Sequence, residues 1–467
     1  MNWKALTKWV VFAGLVVFIQ SQQAVAQDDP FGFGSFEGAV YTQTNDPRGN
    51  GVLAYGRRAN GTLEFLGIVG TGGDGTGIVG SGFPFFDTGD GLDPLQSTNA
   101  VELSTDRQFL FVVNGGSSSV STFRILPNLR PRLMSVTPVS GNGPNSIAYR
   151  DGVVFVSSID ADGSFDGSLG EVGLVEAFRL TNRGLLKPIR GSVRYLTNRP
   201  AGLDVTPDGR FLIVTSLNAG SNGEADGPSF VFDENSVTVF GLARSGMPSR
   251  KPLSSGISIS PEDEPGRAIT LALGLEAVED DGRQFVVVTE ARSIQLPDGT
   301  PVPLLTPGFP GPGIIPGFQP GGVSSWEIMP DGELVLIDSV PVNDDETDEL
   351  SLGTGQSATC WIQFSDDGKI FWVVNTINSS ISAFRFDKGD IEIISEVVAQ
   401  GDGLGPETVD RLFPPKSPTA EDSEFGSLVD AESDRYRRPR GAPIGPGVDP
   451  DTDGGAPNVL LGGTDAF

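Results

Sequence analysis

Pro200-Ala201-Gly202-Leu203-Asp204-Val205-Thr206-Pro207-Asp208-Gly209-Arg210-Phe211-Leu212-Ile213-Val214-Thr215-Ser216 reads as strand, tight turn, strand. Leu203 and Val205 fall on one face of the first strand. At the turn Pro207 presets φ, Asp208 bonds nearby backbone through its carboxylate, and Gly209 accepts a positive φ. Residues 211–214 are apolar without alternation, which predicts a strand covered on both faces. The unit recurs at 100–114 and at 358–375, and in looser form at 145–158 and 273–289. A β unit repeated roughly every 50 residues predicts a propeller, because no blade buries its own faces alone.

Working outward, a third strand follows each second one. Ser119-Val120-Ser121-Thr122-Phe123, Leu174-Val175-Glu176-Ala177-Phe178, Ser236-Val237-Thr238-Val239-Phe240, Val323-Ser324-Ser325-Trp326 and Ser380-Ile381-Ser382-Ala383-Phe384 take that place. Residues 39–69 hold a further set with no innermost strand ahead of it, a deficit that the other end of the chain fills in many propellers. The predicted fold class is therefore all-β: a β-propeller of four-stranded blades, six recognisable and a seventh missing or incomplete at the C-terminus. The proline-rich stretch 296–322 interrupts the fifth blade and cannot form a ladder strand.

Three segments result. Residues 1–26 read as a secretory leader: Lys4 and Lys8, an apolar run over 9–19, and a small-residue cleavage site at Ala24-Val25-Ala26. Residues 27–400 form the propeller. Residues 401–467 are an irregular tail rich in Pro, Gly and Asp, or the start of a last blade. The leader predicts a secreted or periplasmic protein with no membrane attachment after cleavage.

Composition removes several classes of function. The formal charge of −28 makes nucleic acid and anionic membranes poor partners. The chain has no histidine, which excludes His-based triads and His metal sites. Cys360 is the one cysteine, so no intramolecular disulfide forms despite export, and its apolar strand predicts a buried thiol. Gly72-Gly73-Asp74-Gly75-Thr76-Gly77 is followed by neither a helix pattern nor a Lys-Ser/Thr pair, so it does not read as a phosphate cradle.

Ala39-Val40-Tyr41-Thr42-Gln43-Thr44-Asn45-Asp46, with Gly49-Asn50-Gly51-Val52 and Asn60-Gly61-Thr62-Leu63, resembles the opening of lactonase-like seven-bladed propellers. That group includes propeller 6-phosphogluconolactonases and 3-carboxymuconate cyclases. The Pro-Asp-Gly-Arg-Phe-Leu and Val-Val-Asn units resemble its YVTN-type repeats, over roughly residues 38–400. The resemblance implies a polar site at the channel mouth built from His, Arg and Glu. Where family members commonly carry His after Gly-Pro, this chain has Gly143-Pro144-Asn145.

Loops before each innermost strand and after each second strand share one end of the ring, the default ligand site. Glu290 is the candidate acid/base, with Arg292 and Arg199 as clamps on a substrate carboxylate; the plainer reading of Glu290 and Arg292 is a solvated salt bridge at a loop start. Asn99, Asn114, Asn145, Asn218, Gln356 and Asn375 are candidate ligand-binding side chains, of which Asn114 and Asn375 also suit turn capping. No cofactor is required. Calcium is the candidate metal, at Asp160, Asp162, Asp166 and Glu171 of a 12-residue oxygen-donor loop and at Asp449, Asp451 and Asp453 of an Asp-x-Asp-x-Asp-Gly run. Arg435, Arg437, Arg438 and Arg440 form a basic run in the tail, read as a linker. The function expected is binding or scaffolding of a polar small molecule or carbohydrate; the alternative is lactone hydrolysis or muconate-type cyclisation without histidine.

Overall fold

The computed structural model describes residues 36–76, 95, 97–160, 173–196, 199–216, 220–221, 230–231, 237–258, 270–292, 321–342, 359–375 and 380–400. The expected turn chemistry is present. Thr206 Oγ1 donates to Asp208 Oδ1 at 2.7 Å, and that oxygen accepts the Arg210 N–H at 3.0 Å. Phe211 N–H closes the turn on Thr206 Oγ1 at 3.1 Å, and Gly209 sits at φ +70°. The same bonds join Ser104, Asp106, Gln108 and Phe109, and again Ser365, Asp367, Lys369 and Ile370. The two looser copies use another solution. Asp151-Gly152 and Asp281-Gly282 both have positive φ at each residue, the signature of a two-residue hairpin turn.

Six antiparallel blades follow in chain order. Blade 1 comprises Gly38–Gln43, Gly51–Arg57 and Leu63–Gly70. Blade 2 comprises Val101–Leu103, Phe109–Asn114, Ser119–Ile125 and Pro131–Pro138. Blade 3 comprises Asn142–Arg150, Val153–Asp160, Leu174–Leu180 and Leu186–Pro188, with Arg194–Tyr195 also pairing with Leu174–Leu180. Blade 4 comprises Pro200–Val205, Phe211–Ser216, Val237–Gly241 and Ser254–Gly256. Blade 5 comprises Thr270–Asp280, Arg283–Arg292, Gly321–Ile328 and Leu334–Pro341. Blade 6 comprises Thr359–Phe364, Ile370–Asn375, Ser380–Asp387 and Asp390–Gln400. Blade 5 resumes at Gly321, so the end of the proline-rich stretch is already strand. In blade 1 the strand Gly38–Gln43 packs on the innermost strand of blade 2 as the second strands of later blades do on their neighbours. The three strands of blade 1 are thus the second to fourth of a blade. Among the described residues there is no α-helix, and no helix is long and apolar enough to cross a membrane.

The apolar second strands explain the stacking. All six side chains of Phe109–Asn114 and of Phe211–Ser216 are buried. Their two faces feed different cores: Phe111 and Val113 pack with blade 3, while Leu110 and Val112 pack with blade 1. Equivalent clusters join blades 3 and 4 around Phe155, Leu212 and Phe240, blades 4 and 5 around Ile213, Val286 and Trp326, and blades 5 and 6 around Phe285, Phe371 and Phe386. A fully buried aromatic of this kind stabilises the fold by about 2–3 kcal/mol. In blade 6, Phe371 and Val373 face blade 5, while Trp372 and Val374 on the other face are half-buried.

Acidic side chains pin blade to blade by accepting main-chain N–H groups. Asp204 accepts its own Val205 N–H and, from blade 5, the Ala277 N–H, both at 2.6 Å. Glu276 accepts the Phe364 N–H of blade 6 at 2.8 Å. On the outermost strands Asp338 accepts Ser339 N–H at 2.8 Å and Ile391 N–H of blade 6 at 2.9 Å. Part of the chain's acidity is therefore structural.

Candidate functional site

The innermost strands carry the loop ends that define the site. Just ahead of blade 2, Ser97-Thr98-Asn99 ties blades 4 and 6 together. Thr98 N–H donates to Ala201 O at 3.2 Å, Asn99 Nδ2 donates to Leu203 O at 3.0 Å, and Trp361 Nε1 of blade 6 donates to Ser97 O at 3.2 Å. Ala201, Leu273, Ala291 and Cys360 pack beside that crossing as a small apolar cluster. At this level blades 2, 4, 5 and 6 are joined directly to one another.

Glu290 and Arg292 lie two residues apart on the second strand of blade 5, so their side chains share one face. That face also carries Val286 and Val288, which pack against blade 4. The pair is consequently enclosed, with the Arg292 and Glu290 side chains 1% and 2% exposed: it is not the solvated bridge at a loop start that the sequence suggests, because the strand runs on through Arg292 and holds both side chains on its buried face. Arg292 Nε and Nη2 both lie 3.1 Å from Glu290 Oε2, and Arg292 Nη2 donates to Ser339 Oγ at 2.8 Å. Ser324 Oγ–H donates to Glu290 Oε1 at 2.5 Å and itself accepts Trp326 Nε1–H at 3.0 Å. Gly322 leaves room for the guanidinium: a Cβ there would lie 2.0 Å from Arg292 Nε. Both carboxylate oxygens of Glu290 are thus held by the protein itself. Arg199 is buried as well, immediately ahead of the innermost strand of blade 4.

The asparagines form a repeated device. Asn114 Nδ2 donates to Ser119 Oγ and Ser121 Oγ at 3.2 and 2.8 Å, and Asn375 Nδ2 donates to Ser380 Oγ and Ser382 Oγ at 3.1 and 2.8 Å. Each fastens the end of a second strand to the start of the third. The carbonyl oxygens accept too, from Asn50 Nδ2 at 3.1 Å and from Thr359 Oγ1 at 3.0 Å. Asn145 bridges blades, donating to Pro200 O at 2.8 Å and accepting Ser157 Oγ–H at 2.7 Å. Asn114, Asn145 and Asn375 are all buried. The serine partners escaped the sequence reading, although Ser-x-Ser five residues after each Asn was visible in both copies.

The remaining candidates divide plainly. Asp160 ends the second strand of blade 3. Asp162, Asp166, Glu171, Asn218, Gln356, Asp449, Asp451 and Asp453 lie outside the described residues. Among the described residues no group of three or more acidic or cysteine side chains is placed to hold a metal ion.

No family model matches the chain, and no curated protein matches it. Solved structures resemble it in fold. A Lactobacillus plantarum protein aligns with TM-score 0.48 at 14% identity over 77% of this chain and 82% of that one. Hydrazine synthase of Kuenenia stuttgartiensis aligns with TM-score 0.42 at 15% identity over 76% and 78%. The periplasmic gluconolactonase of Pseudomonas aeruginosa aligns with TM-score 0.38 at 15% identity over 78% and 97%. Likeness at this level assigns no activity; the class that the coordinates themselves define is the β-propeller.

Proposed function

We propose that this chain is an exported, lactonase-like β-propeller that binds a polar small molecule or carbohydrate and performs no chemistry with Glu290 and Arg292. One observation carries the reading. The best acid/base candidate is sealed between blades, with both oxygens committed to Arg292 and Ser324. A general base must reach the proton it abstracts, and a carboxylate in a closed network has no free lone pair facing solvent. The absence of histidine supports the same reading, because the commonest replacement base is lacking. Export follows from the leader pattern around Lys4, Lys8 and Ala24-Val25-Ala26.

The test is a rate measurement with purified full chain on gluconolactone and muconolactone. The expected result is opening at the spontaneous rate, together with a raised melting temperature in the presence of at least one neutral sugar from a panel, since a ligand bound by the native state stabilises it. Opening well above background that Glu290→Gln abolishes while the fold survives would refute the binding reading in favour of a lactonase.

A further inference from the structure

The short turns at the opposite end of the ring gather positive charge. Arg190, Arg194, Arg210, Arg244, Arg250 and Lys251 all come from blades 3 and 4, in a chain whose net charge is −28. The outer edge of blade 3 and the turns of blades 4 and 5 border a shallow, open groove of about 800 Å³. Arg190, Arg194, Arg210 and Arg250 line it, with Leu242 and Leu253 among its apolar walls. Asp331 is the one carboxylate in the lining.

These cations differ in what they already hold. Arg210 is paired with Asp208 at 2.8 Å. Among the described residues Arg190, Arg194 and Arg250 form no ion pair. Arg194 is instead fixed by neutral acceptors: Nε donates to Ser249 O at 2.5 Å, and Nη1 donates to Gly191 O and Val193 O at 2.8 and 2.7 Å. Its Nη2 donates to Pro248 O. Backbone carbonyls orient the guanidinium without cancelling its charge. Partial burial and then the neighbouring Arg250 charge depress the Arg194 pKa below its ordinary value, as expected for a cation lacking a counter-ion.

From this geometry we infer a second ligand site: the groove between blades 3, 4 and 5 binds a small organic polyanion bearing carboxylate or phosphate groups. The volume lies in the range of small-molecule clefts. The forks of Arg190 and Arg250 suit carboxylate and phosphate oxygens equally, Arg194 adds its charge beside them, and Leu242 and Leu253 suit an apolar body. A long polyanion is disfavoured by the strongly negative charge of the rest of the chain. The site stands independently of the reading proposed for the other end of the ring.

Isothermal titration of citrate and, separately, tripolyphosphate into the purified full chain at low salt tests the site. The expected result is one-to-one binding of at least one probe, weakened by added salt. Arg250→Gln, an exposed change, is expected to weaken it about tenfold, and Arg194→Gln to weaken it further. Arg132→Gln, on the outermost strand of blade 2, is expected to leave it unchanged. Binding of citrate alone identifies a carboxylate ligand, and binding of tripolyphosphate alone a phosphate ligand. No binding of either probe at millimolar concentration, or wild-type affinity in Arg250→Gln, overturns the inference.

Discussion

Replacing Glu290 by Gln separates a sealed ion pair from a working base. The substitution keeps the length of the side chain and an oxygen for Ser324 Oγ–H, but removes the charge facing Arg292. Arg292 is then a cation 1% exposed, with Ser339 Oγ still accepting from its Nη2. Breaking a buried pair from one side costs about 3–5 kcal/mol, because the surviving charge stays desolvated and unpaired. A solvated pair contributes under about 1 kcal/mol. Equilibrium urea unfolding therefore distinguishes the two. Glu290→Leu combined with Arg292→Met removes both charges at similar volume, and such exchanges are often neutral or stabilising. The double variant is expected to regain most of the loss, with Ser324 still accepting from Trp326. A single variant within about 0.5 kcal/mol of wild type, or a double variant as unstable as the single one, would refute the buried-pair account.

Two further outcomes follow from the repeat. Gly209→Ala is expected to cost about 1–2 kcal/mol in the same assay, because Gly209 sits at φ +70° while the nearest atom to its added Cβ is 3.5 Å away, so the cost is conformational and not steric. Asp204 gives a pH signature. Burial pushes its carboxyl up to about 6, against the pull of the Ala277 and Val205 N–H groups. The folded state then holds a proton that the unfolded chain, titrating near 4, has released, so stability falls as pH rises from about 4 to about 6. The fall assigned to Asp204 is about 2–3 kcal/mol, and Asp204→Asn is expected to flatten it in unfolding curves taken across that window.

The turn residues made the fold legible. Thr206-Pro207-Asp208-Gly209 and its copies at Ser104 and Ser365 specify the hairpin locally, and residues 211–214 announce burial on both faces; neither inference needs long-range information. The site was harder to read, because the same residue types serve structure and recognition. Asn114 and Asn375 end strands at the ligand end of a propeller, yet their amides are taken by serines five and seven residues on. For Glu290 a usable signal existed: it continues the alternation of Val286 and Val288, which places it on the buried face. The arginine groove was invisible because Arg190, Arg210 and Arg250 are separated by tens of residues. A run such as Arg435-Tyr436-Arg437-Arg438 is conspicuous in sequence; a cluster assembled by three blades is not.

Arginine footprinting with phenylglyoxal, read by mass spectrometry on the native chain, tests the central claim most directly: the candidate catalytic pair is internal, whereas the groove cations Arg190 and Arg250 are exposed. The account predicts rapid modification of Arg190 and Arg250, with Arg292 untouched until the protein is unfolded. Modification of Arg292 in the folded protein at the rate of Arg250 would contradict it.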